Sequence, residues 1–425
     1  LVHDGSEYDE YTPLTHNWNE FTFQTKLHHI ASVLAAAKAH VAVLSEVENQ
    51  NALEHLRTAV AEHGLRYEYS AIGDSPNRTA TCPAILSMLP IVAARGHGTV
   101  RLGGYFSRNI LEAAIAVGAD TLTVFANHWP SKHHSESLRV ATAAILAARL
   151  RNLPPHTEYV LAGDINANYN EAETFGTEGL DNTRGRTGIN HVLATVTSPP
   201  GELLRYVRER EVGDCLEPCH YDLWLELPRQ RRMSYVHEGR STTPDHILLP
   251  ASLYDSSGLS YVDRSFDVFT LGGKLLRRGR PRGWRIGYGR TGAFHKAEGY
   301  SDHLPIMARF HRGAFVATDT VAESVAADHP PARGSFETGA EGWLGMERGV
   351  VLSRDTTFAS EGTYSLRVAG TVGNRNATVA RSVLRPPRAG ARARAARLSL
   401  RGHGELYWRV RAAGSKTWQI GRAHV

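Results

Sequence analysis

Helical and extended patterns of apolar residues alternate along the N-terminal three quarters of the chain. Apolar side chains at positions 23, 27, 30, 33 and 34 share one helix face, which predicts a helix over 23–38. The same criteria predict helices over 50–62 and 135–150, and strands over 41–44, 83–88, 111–117, 122–127, 159–162, 247–249 and 304–310. Because these elements follow no strict strand–helix–strand repeat, we expect a layered α/β (α+β) domain with mixed strands.

The pattern changes after residue 313. Residues 314–334 are small and polar and include a Pro-Pro pair, which predicts an interdomain linker. Residues 335–419 contain short extended runs separated by turn residues, which predicts a small all-β sandwich module. The last six residues, 420–425, resemble the translation of a sequencing adapter, so we expect this module to be incomplete.

Composition excludes several classes of protein. The chain has 425 residues, of which 42% are hydrophobic and 21% charged, so disorder is not expected. The longest apolar stretches, 30–37 and 140–150, are too short to span a bilayer. Of three cysteines only Cys215 and Cys219 lie close together, which permits one small disulfide and argues against a zinc site.

Charge is unevenly distributed. Lys and Arg exceed Asp and Glu by only five (48 against 43), so the net charge says little about partners. Between Lys274 and Arg290, however, seven residues are basic and none is acidic. Such a run is either a solvated loop or a surface that binds a polyanion. We call residues 274–290 the basic segment.

Four motifs place chemically capable side chains at the ends of predicted strands, where clefts commonly form. Each alone has an ordinary alternative: a strand-end carboxylate, a core histidine, a turn or a helix cap. The motifs are Leu-Ser-Glu-Val-Glu-Asn at 44–49, Asn-His-Trp-Pro-Ser-Lys at 127–132, Gly-Asp-Ile-Asn at 163–166 and Ser-Asp-His at 301–303.

Together and in this order, the four motifs resemble those of the endonuclease/exonuclease/phosphatase superfamily, which has the DNase I-like fold. Residues 127–132, with Tyr-Val-His-Glu-Gly at 235–239 and Asp-His-Ile-Leu-Leu-Pro at 245–250, resemble its bacterial extracellular nuclease branch. The resemblance covers roughly residues 1–312. It implies a catalytic domain over 1–313, with a four-layer β-sandwich flanked by helices, and metal-dependent phosphoester chemistry.

One feature of the family is missing from this sequence. Family members begin with a strand whose Asn joins the metal and phosphate site, and we expect that strand to lie upstream of residue 1. Asn17 and Asn19 both precede a helix rather than end a strand, so neither is assigned to the site.

The resemblance also implies a metal site. Glu46 is then the principal metal carboxylate, and Asp302 contributes a ligand or a nearby contact. Carboxylate oxygens suit Mg²⁺, with Mn²⁺ or Ca²⁺ as alternatives, rather than zinc.

The remaining motif residues are expected to bind and activate water and phosphate. Asp164 orients or deprotonates the attacking water, and Asn166 binds a phosphoryl oxygen without adding charge. His303 is a general base or a phosphate-binding imidazole, and His128 is an acid or a second phosphate ligand. Asp245 fixes the tautomer of one of these two histidines, and the sequence does not decide which.

Several cations are candidates for contacts with the substrate. Trp284 and Tyr288 in the basic segment would either stack on bases or pack against the protein. An ordinary surface role is the alternative for each cation. The candidates are Arg108, Lys132, Arg278, Arg280 and Arg282.

The combined prediction is a secreted, monomeric, divalent-metal-dependent nuclease that cleaves DNA or RNA with little sequence preference. The alternative within the fold is a phosphatase or a sphingomyelinase-type phospholipid phosphodiesterase, and a third possibility is a non-catalytic binding protein. The module at 335–419 resembles jelly-roll modules of secreted bacterial enzymes, for which a carbohydrate or cell-surface ligand is expected. DNA against RNA and endo against exo cleavage stay open.

Overall fold

The chain divides into two compact units, Leu1–Asp319 and Thr320–Val425, in a computed structural model. In the first unit the structure describes residues 11, 17–74, 81–102, 105–176, 178–215, 218–290 and 292–318. In the second unit it describes six short strands. Residues 319–334 of the predicted linker lie outside the described residues, as do 1–10 and 12–16.

The helices and strands of the first unit largely follow the predicted pattern. The helices are α1 (Glu20–Ala37), α2 (Gln50–Glu62), α3 (Glu136–Arg151) and the single turn α4 (Glu171–Thr174). The strands are β1 (Val41–Val47), β2 (Tyr69–Ile72), β3 (Cys82–Ser87), β4 (Ile91–His97), β5 (Arg101–Leu102), β6 (Tyr105–Phe106), β7 (Ile110–Val117), β8 (Asp120–His128), β9 (Tyr159–Asp164), β10 (Tyr221–Asp222), β11 (Tyr235–His237), β12 (Arg240–Thr242), β13 (Asp245–Leu249), β14 (Leu259–Tyr261), β15 (Asp267–Val268), β16 (Leu276–Arg277), β17 (Arg280–Pro281), β18 (Ile286–Gly289), β19 (Gly292–His295), β20 (Ile306–Met307) and β21 (Phe310–Arg312).

Side chains at the helix starts explain where α1 and α2 begin. Asn19 caps α1 by accepting from the backbone N–H of Thr22, whose hydroxyl in turn accepts from the Asn19 N–H. Asn49 caps α2 through the backbone N–H of Ala52. Because each cap satisfies a backbone donor that the helix leaves free, Asn19 has a structural role.

Two sheets form the centre of the unit. The smaller has the order β1-β3-β2 and is antiparallel throughout. The larger has the order β10-β13-β9-β8-β7-β4, and its only parallel pair is β8 with β9. The helix α3 makes the crossover between these two parallel strands, as parallel pairing requires.

Alternate residues of these strands face different cores, which makes four layers. On β3, Ile85 lies in the core between the two sheets, whereas Ala84 and Leu86 face α1 and α2. On the larger sheet, Val124 faces the core between the sheets, whereas Phe125 faces α3. A strand repeats every two residues, so it supplies both cores. The prediction of a layered α/β fold flanked by helices is confirmed.

One predicted strand is wrong. Residues 304–310 form no continuous strand, because β20 pairs with β15 and β21 pairs with β14, and residues 308–309 separate the two pairings. Each short strand therefore closes a separate two-stranded ladder.

The second unit shows three antiparallel strand pairs. The strands are β22 (Leu344–Gly345), β23 (Val351–Asp355), β24 (Ser365–Ala369), β25 (Ala380–Arg381), β26 (Glu405–Val410) and β27 (Gln419–His424). They pair as β22 with β25, β23 with β24 and β26 with β27, so residues 419–424 belong to a hairpin. Residues between these strands lie outside the described part.

Two further observations bear on the predicted setting. Cys215 and Cys219 form a disulfide, and Cys82 is a buried free thiol. No helix in the described part of the chain is long and apolar enough to cross a membrane.

Candidate active site

Strand register brings three of the predicted residues to one edge of the larger sheet. His128 ends β8 and is paired with Asp164 at the end of the parallel strand β9. Asp245 begins β13, which runs antiparallel to β9, and it too is paired with Asp164. Three segments that are far apart in sequence therefore deliver an imidazole and two carboxylates to the same edge.

Glu46 reaches this edge from the smaller sheet. The pairing of β1 with β3 is irregular between Leu44 and Val47, and Glu46 adopts φ 61° there. A non-glycine residue in this left-handed region is strained, and such strain is often retained at functional sites. The Glu46 carboxylate is close enough to Asp164 to raise the pKa of that group.

His303 is hydrogen-bonded to Asp245. The distance from His303 Nδ1 to Asp245 Oδ2 is 2.7 Å, and the Tyr235 ring stacks on the imidazole at 4.5 Å between centroids. Burial opposes the charged ring, but the carboxylates of Asp245, Asp164 and Asp302 outweigh it and raise the pKa of His303 to about 10. Asp245 therefore orients His303, which answers the question that the sequence left open, and His303 is an imidazolium at neutral pH.

Asp164 is tuned for proton transfer. Burial, together with the carboxylates of Asp245 and Glu46, raises its pKa to about 7, although the charge of His303 works in the opposite direction. Its Oδ1 accepts the backbone N–H of Asn166 at 2.8 Å, which fixes the carboxyl group. A carboxyl group with a pKa near 7 exchanges protons readily at neutral pH.

His128 is neutral. Burial and the positive charges of Arg108 and His303 lower its pKa well below the usual value. Its Nε2 lies 3.8 Å from Asp164 Oδ2, and its buried Nδ1 has no hydrogen-bond partner among the described residues. The ring is therefore neutral, and its buried Nδ1 has unused hydrogen-bonding capacity.

Two asparagines of the motifs differ in role. Asn166 adopts φ 53° and donates from Nδ2 to the Trp129 carbonyl at 2.9 Å, which leaves its second amide N–H available. Asn127 is fully buried and holds Trp129 in place by accepting from the indole N–H at 2.9 Å. Asn127 is therefore a structural residue of its motif.

Glu46 and Asp302 share a neighbour that sequence reasoning missed. Burial lowers the pKa of Lys26 to about 8, although the carboxylates of Glu46 and Asp302 both raise it. The Lys26 ammonium also donates to the Tyr11 hydroxyl at 2.9 Å and lies 4.2 Å above the Tyr11 ring. The sequence around Lys26 in α1 contains no motif that marks this lysine as part of a site.

The residues present fit a divalent cation. Among the described residues, the carboxylates of Glu46, Asp164, Asp245 and Asp302 outnumber the cations at this edge, which are Lys26, His303 and Arg108. Burial raises the pKa of Asp164, and the nearby carboxylates of Asp245 and Glu46 raise it further. Oxygen donors with excess negative charge suit Mg²⁺, Mn²⁺ or Ca²⁺.

Two residues that were predicted to contact the substrate instead bind other residues of the protein. Arg108 is 6% exposed and donates from Nε to the Thr81 carbonyl at 2.6 Å, and its charge reaches His128. Lys132 pairs with Glu171 and Glu178 at 2.8 and 2.9 Å. The structure therefore brings Arg108 to the site, whereas two acidic groups already bind Lys132.

The basic segment borders the site. Gly283 lies against Asp302, since a Cβ at Gly283 would be 3.1 Å from the Asp302 Cβ. The hairpin β16–β17 presents Arg278 and Arg280, and the Arg280 guanidinium approaches Gly239, in the turn next to β11, which carries Tyr235. Six of the seven basic residues are exposed; the exception, Arg285, pairs with Glu298 at 2.5 Å.

The two aromatic residues of the basic segment have different environments. Trp284 packs with the core beneath α1 and donates from its indole N–H to His295 at 2.8 Å. Tyr288 is 80% exposed on β18. Only Tyr288 is therefore accessible for stacking on a base.

A family model supports the sequence resemblance. Residues 2–198 match the model described as the Endonuclease/Exonuclease/phosphatase family. No curated protein matches the chain.

Solved structures of low identity are also similar. An endonuclease/exonuclease/phosphatase family protein from Leptotrichia buccalis is 12% identical, with a TM-score of 0.43 over 70% of this chain and 97% of that chain. A mannosyl-6-phosphatase from Bacteroides thetaiotaomicron is 12% identical, with a TM-score of 0.43 over 68% and 91% of the two chains. TDP2 of D. rerio, complexed with a single-strand DNA product, is 14% identical, with a TM-score of 0.42 over 70% and 96%.

Proposed function

We propose that this chain is a phosphoester hydrolase of the endonuclease/exonuclease/phosphatase superfamily and that it acts as a nuclease. Its substrate is DNA or RNA, which it cleaves with little sequence preference and with a divalent cation. The resemblance of residues 127–132, 235–239 and 245–250 to the extracellular nuclease branch supports this substrate class.

The contact between the basic segment and Asp302 carries this proposal. Exposed arginines that adjoin the site are suited to the repeated phosphates of a nucleic acid backbone. A small phosphomonoester has a single phosphate and would not extend over a hairpin. Phosphate contacts carry no base information, so low sequence preference follows.

Glu46 and Asp302 would hold the cation. When bound, a divalent ion neutralises the charge that develops on a non-bridging phosphoryl oxygen. The imidazolium of His303 adds a second positive charge, and the hydrogen bond that its Nδ1–H donates to Asp245 holds the ring in one orientation. The Nε2–H of His303 therefore remains available to a phosphate oxygen.

Asp164 accepts a proton from the attacking water. Its pKa of about 7 means that a large fraction of the carboxyl groups is ionised at neutral pH, and its hydrogen bond from Asn166 orients the accepting group. The free amide N–H of Asn166 and the neutral ring of His128 donate hydrogen bonds to phosphoryl oxygens. Neither group adds negative charge next to the phosphate.

We also propose a secreted, monomeric enzyme. The Cys215–Cys219 disulfide supports an oxidising compartment, because such bonds are rare in the cytosol. Mg²⁺ is the proposed cofactor, with Mn²⁺ or Ca²⁺ as alternatives. For the second unit we propose a carbohydrate or cell-surface ligand on its sequence resemblance alone.

Cleavage of closed circular plasmid tests the nuclease proposal. We expect nicking in Mg²⁺ or Mn²⁺, none in EDTA, and loss of nicking in His303→Ala. The matched control is His156→Asn, because His156 is exposed in the turn before β9, at the opposite end of that strand, and Asn tolerates its φ of 60°. Activity confined to small phosphomonoesters or to sphingomyelin would replace the nuclease with the corresponding alternative.

A triple variant tests the basic segment separately from the chemistry. Replacing Arg278, Arg280 and Arg282 with Gln removes three phosphate contacts. We expect the slope of log K against log salt to become shallower by about 2 to 3, since each contact contributes about 0.7 to 0.9. An unchanged slope, with nicking still dependent on His303, would show that the substrate does not follow the basic segment.

A further inference from the structure

Three carboxylates converge at a place that the phosphoester chemistry does not use. Glu209 begins the short helix Glu209–Asp214, Glu226 ends the short helix Leu223–Glu226, and Asp263 follows β14. One carboxylate oxygen from each lies within 4.8 Å of the other two. We call these three residues the acidic cluster.

The acidic cluster lies near the end of β13 opposite the active site. Asp245 at the start of β13 is in the active site, whereas Leu249 at its last position pairs with Tyr221 of β10. The charges of Glu226 and Glu209 act on the hydroxyl of Tyr221, so this tyrosine is close to the cluster. The cluster is therefore distinct from the metal site of Glu46 and Asp302.

Some carboxylate oxygens of the acidic cluster have no hydrogen-bond partner among the described residues. Glu226 Oε2 accepts from the Tyr261 hydroxyl at 2.7 Å, and Asp263 Oδ2 accepts from the Thr318 N–H at 2.6 Å. Glu226 Oε1 and Asp263 Oδ1 are buried and have no hydrogen-bond partner among the described residues. Buried acceptors of this kind are costly unless something satisfies them.

Tyrosine hydroxyls enclose the same place. Tyr221 is 6% exposed, and among the described residues no hydrogen bond is found for its hydroxyl. The Tyr254 ring packs against both Tyr221 and Tyr261, at 6.2 and 6.0 Å between centroids, and its hydroxyl oxygen is buried without a partner. Two carboxylate oxygens and a hydroxyl oxygen are thus buried here without a hydrogen bond among the described residues.

Among the described residues, no cation forms an ion pair with the acidic cluster. Arg264 is the basic residue that acts on both Glu209 and Glu226, and it is exposed and forms no ion pair within the described part of the chain. The attraction of Arg264 is opposed by the proximity of the three carboxylates, which repel one another when they are ionised.

We propose that Glu209, Glu226 and Asp263 bind a calcium ion that stabilises this end of the molecule. Ca²⁺ accepts six to eight oxygen ligands at about 2.4 Å, so oxygens on opposite sides of the ion are about 4.8 Å apart. Mg²⁺ requires a tighter octahedron and keeps several of its waters, which buried oxygens on three segments do not favour. The Tyr221 and Tyr254 hydroxyls and water would complete the oxygen shell.

The calcium ion would join segments that are otherwise held by short elements. The helix that begins at Glu209 ends just before Cys215, whose disulfide to Cys219 closes the following loop. The Cys219 side chain packs with Val212 of that helix, and Tyr254 packs against the same small core. The ion and the disulfide would together stabilise residues 209–226 against the rest of the sheet.

Thermal unfolding of the whole chain in EDTA and in about 1 mM Ca²⁺ tests the proposal. The starting protein carries Glu46→Gln, which weakens the catalytic metal site and separates the two cations. We expect Ca²⁺ to raise Tm by about 3 to 6 °C, because an ion that binds only the folded state stabilises it. Addition of Glu226→Gln should abolish the rise and leave Tm in EDTA unchanged or higher, since one of three mutually repelling charges is gone.

Terbium luminescence gives a second measurement. Tb³⁺ is a probe for calcium sites, and energy transfer from Tyr221, Tyr254 and Tyr261 should produce emission that Ca²⁺ displaces. Asp263→Asn should remove that emission, whereas the exposed Glu202→Gln is the matched control and should keep it. A Ca²⁺ effect that persists in both Glu226→Gln and Asp263→Asn, or its absence from the Glu46→Gln protein, would overturn the proposal.

Discussion

Successive residues of β13, Asp245 and His246, each form an Asp–His pair. The two pairs have the same chemical groups but differ in their exposure to solvent. Asp245 binds His303 at 2.7 Å, and the next residue along the strand, His246, binds Asp222 at 3.0 Å. The side chains of the first pair are 18% and 27% exposed, whereas those of the second are 0% and 1% exposed. Successive residues of a strand face opposite sides of the sheet, so one pair lies on the partly exposed side and the other in the interior.

The difference in exposure determines whether the second nitrogen of each imidazole can bind another molecule. His246 Nε2 is bound to the Ala167 carbonyl at 2.8 Å, so both nitrogens of this ring are occupied by the protein. No protein partner is found for His303 Nε2 in the described part of the chain, and that nitrogen is not enclosed. In the mechanism that we propose, the Asp–His pair that acts on the substrate is therefore the one whose imidazole keeps a nitrogen open to it.

The largest effect on kcat is expected from substitutions that disrupt the exposed pair of Asp245 and His303. Asp245→Asn and His303→Ala should each lower kcat by about 10²- to 10⁴-fold, because the phosphate loses an oriented imidazolium. Unfolding free energy should fall as well, because the carboxylates that raise the pKa of His303 to about 10 stabilise its charged ring in the folded state, so kcat is normalised to the folded fraction. Steady-state nicking rates with urea unfolding measure the two quantities. Full activity in Asp245→Asn would remove Asp245 from the mechanism.

The next largest effect, on the free energy of unfolding, is expected from a substitution that disrupts the buried pair of Asp222 and His246. Asp222→Asn should lower the free energy of unfolding by about 3 to 5 kcal/mol, because the His246 charge is left buried without its partner. The kcat of the molecules that remain folded should match that of the unmodified protein. Urea unfolding at neutral pH, with activity normalised to the folded fraction, checks both statements. A loss of kcat as large as that of Asp245→Asn would contradict the division between the two pairs.

A smaller effect on kcat is expected from substitution of Tyr235, which contacts the exposed pair. This ring stacks on His303 at 4.5 Å, whereas His246 is held by hydrogen bonds at both nitrogens. Tyr235→Leu should lower kcat by about 2- to 10-fold, as the loss of about 0.5 to 1.5 kcal/mol of ring packing implies. Tyr235→Phe keeps the ring and should keep kcat. If both variants lost activity equally, the hydroxyl rather than the stacking would be responsible.

The smallest effect is a pH dependence of the buried pair. Burial opposes a charge on His246, but Asp222 and the Ala167 carbonyl outweigh it and raise the pKa of the ring. A raised pKa in the folded state stabilises the protein fully below the unfolded value of about 6.5, and this contribution is lost as pH rises through the folded value. The stability difference between the unmodified protein and His246→Gln should therefore be larger at about pH 6 than at about pH 9. A difference that grew with pH would show that His246 is buried neutral.

Much of the candidate site was predictable because strand ends are local features. Glu46, His128, Asp164 and Asp245 each lie at or beside the end of a run of apolar residues, and such runs determine strands through their own periodicity. Strand pairing then places three of these residues at one sheet edge. The continuous strand at 304–310 was wrong, because its two halves pair with different partners, and partners are not encoded in the run itself.

The sequence by itself determined the layered α/β class, the strand-end positions of the reactive groups and the closely spaced cysteines, all of which depend on residues near one another in the chain. Only the tertiary structure decided that Asp245 pairs with His303, that Lys26 lies beside Glu46 and Asp302, and that Glu171 and Glu178 bind Lys132. It also brought Glu209, Glu226 and Asp263 together from three separate segments. Such contacts depend on the order of strands in the sheets and on the paths of long loops, so no local pattern of residues specifies them.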